Sequence, residues 1–437
     1  MKKIISTLLS LGVAATLFVG CGGGGGTTTK APDGTTAAPD GGGDIVVASW
    51  NDAADAMTDI AEAYNAQNTK IPGKVTVQYV DSDYAQLRPS LISGQGVPDI
   101  FQTQNRDFPA FMNTYGDVFL DVTDIVKPEE ANFAEAPLSM VKHATDGKYY
   151  AVPWDIGPSA WMYRVDVFEE AGVNVEDIKT WDDYIEMGKT IKEKTGKYVF
   201  GYPLSFSGMP DEIYLYLQQQ NGQLIDAEGK VNLNTPEMVE AFETLLKARE
   251  EGVVLDLPDV WNDRIKAAAV DELVSLPYAV WYVGTMKNSI AESAGKWRIT
   301  GLPGFKGLGE NASIGGSILA ISKTTKNPEL AKDFLKFALM TDAGNDINLE
   351  YGLFTSYAPS YNSAAYKAVE PYFGEQSYAE EFAKHVDSPV MNFGTNFTTI
   401  SAQMELAGAE IMGGADIAET LQKYSDIAQA QIDQLNG

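Results

Sequence analysis

Two histidines and one cysteine set the first limits on what this chain can do. His143 and His385 have no partner near them in sequence, so a multi-histidine metal site is excluded. The lone Cys21 rules out an intrachain disulfide and a thiolate zinc cluster. A Ser-His-Asp triad would have only two candidate bases. The residues that stand out are aromatics beside small polar groups: Trp50-Asn51, Gln104-Asn105, Trp154-Asp155 and Trp161. An indole can stack on an apolar ring face, and a carboxylate or amide beside it can hold hydroxyls. Each has an ordinary structural role as well. Trp50 is either a binding face or an aromatic cap on a sheet. Gln104 and Asn105 are either ligands or a polar turn. Trp154 either stacks on a ligand or packs at a hinge, and Trp161 alternates in a strand, where it serves core or ligand equally. Asp99 is read as fixing its own turn.

The elements that would position these residues follow from periodicity. Ile45 to Trp50 is apolar and β-branched, and predicts a buried strand. Met57, Ile60, Ala61 and Tyr64 fall at helical spacing. Val75 to Val80 then alternates as a second strand, completing a β-α-β unit. Trp50 and Asn51 thus stand at the carboxyl end of the first strand, where open α/β sheets expose ligand loops. A helix around Leu87 and Leu91 leads to a short strand from Asp99. Strands over 149–154 and 160–164 flank a kink at Asp155 to Pro158. Thr180, Thr235 and Asn327 are helix caps, the last two followed by proline and an acid. The stretch from Thr398 to Leu435 reads as helix broken at Gly413-Gly414. No short internal repeat and no clean linker divides the body.

Composition bounds the partners. There are 60 acidic against 32 basic residues and a net charge of -28. Phosphate contacts need Lys and Arg, so nucleic acid is not expected as a partner. At 437 residues, 44% hydrophobic, the chain can bury more than one core. Lys2 and Lys3 precede an apolar run from Ile4 to Val19, shorter than the roughly 20 residues that span a bilayer. Gly22 to Gly43 is rich in Gly, Thr, Ala, Pro and Asp and reads as a tether. The sole cysteine lies between them. This resembles the lipobox of bacterial lipoproteins, with Phe18 where Leu is usual. By that resemblance residues 1–20 are a signal peptide, Cys21 carries the lipid and 21–43 is the tether.

The body in turn resembles the extracellular solute-binding proteins of bacterial ABC sugar importers, of the maltose-binding type. The resemblance rests on Trp50-Asn51, GQGVPDIF (94–101), YYAVPWDIGPSAWMYRVDVFEEAGV (149–173) with Thr180-Trp181, Val280-Trp281-Tyr282, and SIGGSILAISKTTKNPELAKDFLKFAL (313–339). It implies an α/β, two-lobed periplasmic-binding-protein-like fold (type II). The lobes would be 44–154 with 317–355 and 155–316 with 356–437, joined by about three crossings around a ligand cleft. It implies a carbohydrate ligand, an oligosaccharide by the number of tryptophans, with Trp281, Tyr282, Gly316, Ser317, Asn396 and Phe397 joining the candidates above. It also implies a monomer anchored on the extracellular face of the cell membrane, delivering its ligand to an ABC permease, with no cofactor, no metal and no catalysis. Two alternatives stay open: a non-sugar solute in the same fold, and a lipid-anchored glycoside hydrolase, which would need two carboxylates flanking the bond.

Overall fold

A computed structural model describes residues 43–206, 210–306 and 311–436. The expected signal peptide, Cys21 and the expected tether up to Gly42 lie outside the described residues. β1 (Ile45–Ser49) and β2 (Val75–Tyr79) pair in parallel, Ile45 opposite Val75, with the helix Asn51–Gln67 as the crossover. That helix buries Met57, Ile60, Ala61 and Tyr64, the four positions its spacing predicts. β3 (Ile100–Gln104) pairs with the other side of β1. Asp99 differs from its reading: its Oδ2 accepts from Val46 N at 2.9 Å, tying two strands together rather than its own turn.

The remaining strands are β4 (Val152–Ile156), β5 (Ser159–Arg164), β6 (Phe200–Tyr202), β7 (Val254–Asp256), β8 (Ser275–Ala279), β9 (Trp297–Thr300), β10 (Ser317–Ile321) and β11 (Phe354–Thr355). A six-stranded sheet has the order β11-β4-β10-β3-β1-β2, with β10 antiparallel to both neighbours. A separate three-stranded sheet runs β8-β5-β9, and β6 pairs with β7. Asp155 and Ile156 belong to β4, because Ser317 and Phe354–Thr355 pair with them on either side. The expected kink therefore narrows to Gly157-Pro158.

The large sheet has one hydrophobic core and the two smaller sheets share another. One runs from Ile45 to Trp154 and adds Ile318 to Leu339 and Leu353. The other runs from Ile156 to Ile314 and adds Leu349 and Phe354 to Ile432. The chain passes between them over residues 155–158, again before β10, and again around β11, which makes the fold two-lobed. The first two passages touch: a Cβ on Gly157 would stand 1.8 Å from Ile314 O.

The caps follow the sequence. Thr180 Oγ1 accepts from Asp183 N while Asp183 Oδ2 accepts from Thr180 N, a reciprocal box at the helix Trp181–Thr195. Thr235 and Asn327 cap the helices Pro236–Glu250 and Pro328–Met340. The C-terminal helices, Phe397–Met412 and Ile417–Asn436, break at Gly413-Gly414.

Candidate ligand cleft

The carboxyl ends of β1, β3 and β4 and the amino end of the antiparallel β10 meet at one edge of the large sheet. They bring Trp50, Gln102, Gln104, Asp155 and Ser317 to a cavity of about 500 Å³. Its floor is a chain of hydrogen bonds. Ser49 Oγ donates to Gln102 Oε1 (2.6 Å), Gln102 Nε2 donates to Ser317 Oγ (2.9 Å), and Ser317 N donates to Asp155 Oδ1 (2.7 Å). Asp155 is buried, and desolvation pushes its carboxyl up to about 6 against the opposing hydrogen bonds from Ser317. Gly316, at φ +93, leaves no room for a side chain: a Cβ would lie 2.7 Å from Asp155 O and 2.8 Å from Asn105 Nδ2.

The opposite wall is aromatic and comes from the other core. Trp281 is anchored by its Nε1–H, which donates to Ile314 O at 3.1 Å. Trp261 stacks beside it at 5.8 Å and 21°, and Tyr278 meets its edge at 4.9 Å. Behind Tyr278 the buried Arg264 guanidinium lies 4.2 Å from the ring centre and pairs with buried Glu212 at 3.0 Å. The Tyr278 hydroxyl donates to Asp211, another residue of the cavity wall. Stacking rings facing a row of acceptors and amides suit a ligand with apolar faces and a hydroxyl rim.

Of the sequence candidates, Trp50, Asn51, Gln104, Asp155, Trp281, Gly316 and Ser317 line this cavity. Asn105 lines a neighbouring one. Four aromatics do not reach the cleft and are corrected. Trp154 is fully buried in the first core, its Nε1–H donating to Asn348 Oδ1 at 3.0 Å. Strand alternation turns it away from the side that Asp155 serves. Trp161 is buried in the middle of the three-stranded sheet and donates to Ser275 Oγ at 2.7 Å. Tyr282 is buried behind Trp261 and Trp281. Phe397 packs into the second core against Tyr214 and Phe393, and Asn396 beside it lines neither cavity. His143 meets Asp146 and His385 meets Asn311, outside the cleft.

The sequence reading passed over Asp52, Gln102, Arg106, Asp211, Trp261 and Tyr278, all of which line the cavity. Two left a trace. Trp261 is followed by Asn262-Asp263 in a helix capped by Asp259, an odd place for an indole meant for a core. Gln102 is a polar residue inside the apolar strand IFQTQ.

The chain matches the family described as bacterial extracellular solute-binding protein over residues 48–345. A lactose-binding protein of Rhizobium radiobacter is 27% identical over 387 residues, 86% of this chain and 89% of the relative. Arabinooligosaccharide-binding proteins of Halalkalibacterium halodurans and Bacillus subtilis are 28% and 30% identical over 67% and 64% of this chain. Those matches span 66% and 65% of the relatives' own lengths, just under two thirds. Among solved structures, the ABC transporter associated binding protein of B. animalis subsp. lactis in complex with β-1,6-galactobiose superposes with a TM-score of 0.73. It is 26% identical, and the match covers 89% of this chain and 98% of that one. A maltose-bound protein of T. maritima shares the fold at the same TM-score, with 19% identity over 89% and 100% of the two chains. The family match takes in the end of β1 and all of β3, β4 and β10, the strands that build the cleft floor, and by its length this chain belongs to the bacterial extracellular solute-binding proteins.

Proposed function

We propose that the protein binds a carbohydrate, an oligosaccharide, in the cleft between its lobes and hands it to an ABC permease without chemical turnover. The observation that carries this reading is the pairing across one cavity of the stacked Trp261 and Trp281 with the Asp155–Ser317–Gln102 network. The relatives named for lactose and arabinooligosaccharides support it. The lobes are taken as 44–154 with 317–355 and 155–316 with 356–437. The protein acts as a monomer on the extracellular face of the membrane, held by lipid on Cys21 through the tether. Among the described residues no helix is long and apolar enough to cross a membrane. No cofactor and no nucleic acid enter this reading.

One observation favours a second reading. Asp52, Asp155 and Asp211 line the same cavity, a set that would also suit a cationic solute such as a polyamine. A thermal-shift screen of the body from Asp44 onward against neutral sugars, amines and metal salts separates the two, with each hit checked for product. Stabilisation by sugars alone, and no product, is the expected result. Stabilisation by amines alone replaces the ligand. Release of reducing ends replaces binding by hydrolysis.

A further inference from the structure

Arg106 stands in the turn between β3 and the helix Phe108–Tyr115. Its guanidinium lies over two rings of the other core, 5.6 Å from Tyr214 and 5.7 Å from Phe397. Its Nε is buried without a hydrogen-bond partner among the described residues. A buried, unsatisfied donor on a permanent cation is costly and calls for an acceptor. Arg106 and Gly315 line the cavity described above, and both also line a second one of about 520 Å³. That second cavity again takes both lobes: Ala136 and Met140 on one side, Gln218, Met391 and Phe393 on the other. Each volume lies in the range of a ligand site by itself. Acids stand on both sides of the junction, Asp52, Asp155 and Asp211 on one, Glu135 and Asp387 on the other. An anionic substituent on the ligand would meet them, whereas neutral hydroxyl and ring oxygens would not be repelled.

We infer that the ligand is a neutral, extended glycan that runs from the tryptophan-walled cavity past Arg106 into the second cavity, with Arg106 donating to its oxygens at the joint. This rests on the carbohydrate reading and adds length selection to it. The two cavities are then one site in two halves. The first is shaped to grip rings by stacking. The second rewards only a glycan long enough to pass the guanidinium.

The test is isothermal titration of the full-length body with neutral arabino-, galacto- and malto-oligosaccharides of two to five rings. The series that binds is repeated with Arg106→Gln and with Ala136→Trp, which fills the second cavity from the helix Glu135–Val141. In the wild type, affinity is expected to rise about tenfold or more between two and four rings, the scale of a hydrogen bond from a charged donor. In Arg106→Gln the ratio of four-ring to two-ring affinity should fall toward one. Ala136→Trp should lose the same gain and keep two-ring affinity. A binding series whose affinity is flat with length overturns the length inference and leaves carbohydrate binding standing. So does a length gain that survives in both variants. Tighter binding of uronate-bearing glycans than of neutral ones overturns the neutral assignment. Failure of every glycan to bind overturns both readings together.

Discussion

The indoles of Trp261 and Trp281 lie 5.8 Å apart and only 21° from parallel, one at the start of a helix and the other just after β8. Tyr278 braces Trp281 edge-on, and Arg264, paired with Glu212, braces Tyr278. The wall is thus held from behind by a buried ion pair as well as by the bond from Trp281 to Ile314 O.

Trp281→Ala and Trp261→Ala are each expected to weaken carbohydrate binding by roughly 1 to 3 kcal/mol, the loss of a stacking face. Trp154→Ala should behave differently. It empties a core site and should cost roughly 3 to 5 kcal/mol of stability. Calorimetric titration beside urea denaturation distinguishes the two kinds of loss. Equal affinity in both cleft variants, with the fold intact, would displace the wall from the binding site.

Asp155 sets a pH dependence. Its carboxyl, held up to about 6 by burial, ionises later in the folded protein than in the unfolded chain. The contribution to stability is therefore complete below about pH 4 and is lost as pH rises through about 6. Asp155→Asn should melt higher than the wild type at pH 7.5, with the gap closing toward pH 4. The same substitution should lower sugar affinity at pH 7.5, since the ionised acceptor makes the stronger bonds. Melting curves that run parallel across this range would remove Asp155 from the first role, and unchanged sugar affinity would remove it from the second.

Gly157→Ala puts a Cβ 1.8 Å from Ile314 O, where two crossings between the lobes touch backbone to backbone. The crossings must separate. A loss of roughly 1 to 3 kcal/mol is expected from the overpacking. Affinity should fall with it, because Ile314 O also anchors Trp281. Denaturant midpoints and titration measure the two effects. A variant with wild-type stability would mean that the crossings slide freely.

Lobe closure should be visible in scattering. Thr285 Oγ1 donates to Asp52 Oδ2 at 3.3 Å across the cleft, and Arg106 rests on Tyr214, so ligand held by both walls favours a closed arrangement. Saturating sugar is expected to reduce the radius of gyration and raise the melting temperature together. A raised melting temperature with unchanged scattering would leave binding and remove closure.

On the proposed anchoring, Cys21→Ser is expected to release the protein from the membrane fraction without changing sugar affinity. Retention on membranes after a salt wash would count against the lipid.

Local features were legible before any fold was known. The β-α-β unit, the caps at Thr180, Thr235 and Asn327 and the glycine break near Gly413 depend on periodicity and on backbone chemistry within a few residues. The places of Asp155, Gly316 and Ser317 at chain passages were reached only through the family resemblance, and the structure brings them together in one network. Which indole faces the cleft was not local. Trp154 and Asp155 are neighbours, yet strand alternation sends one into the core and the other to the ligand edge, and the sequence carries no mark of which face a lobe will cover. Trp161 and Tyr282 were taken by packing in the same way, while Trp261 reached the cleft because its helix lies beside Trp281. The sequence by itself determined the local elements and their caps. Only the tertiary structure decided which aromatic surfaces were consumed by the two cores and which were left over to meet a ligand.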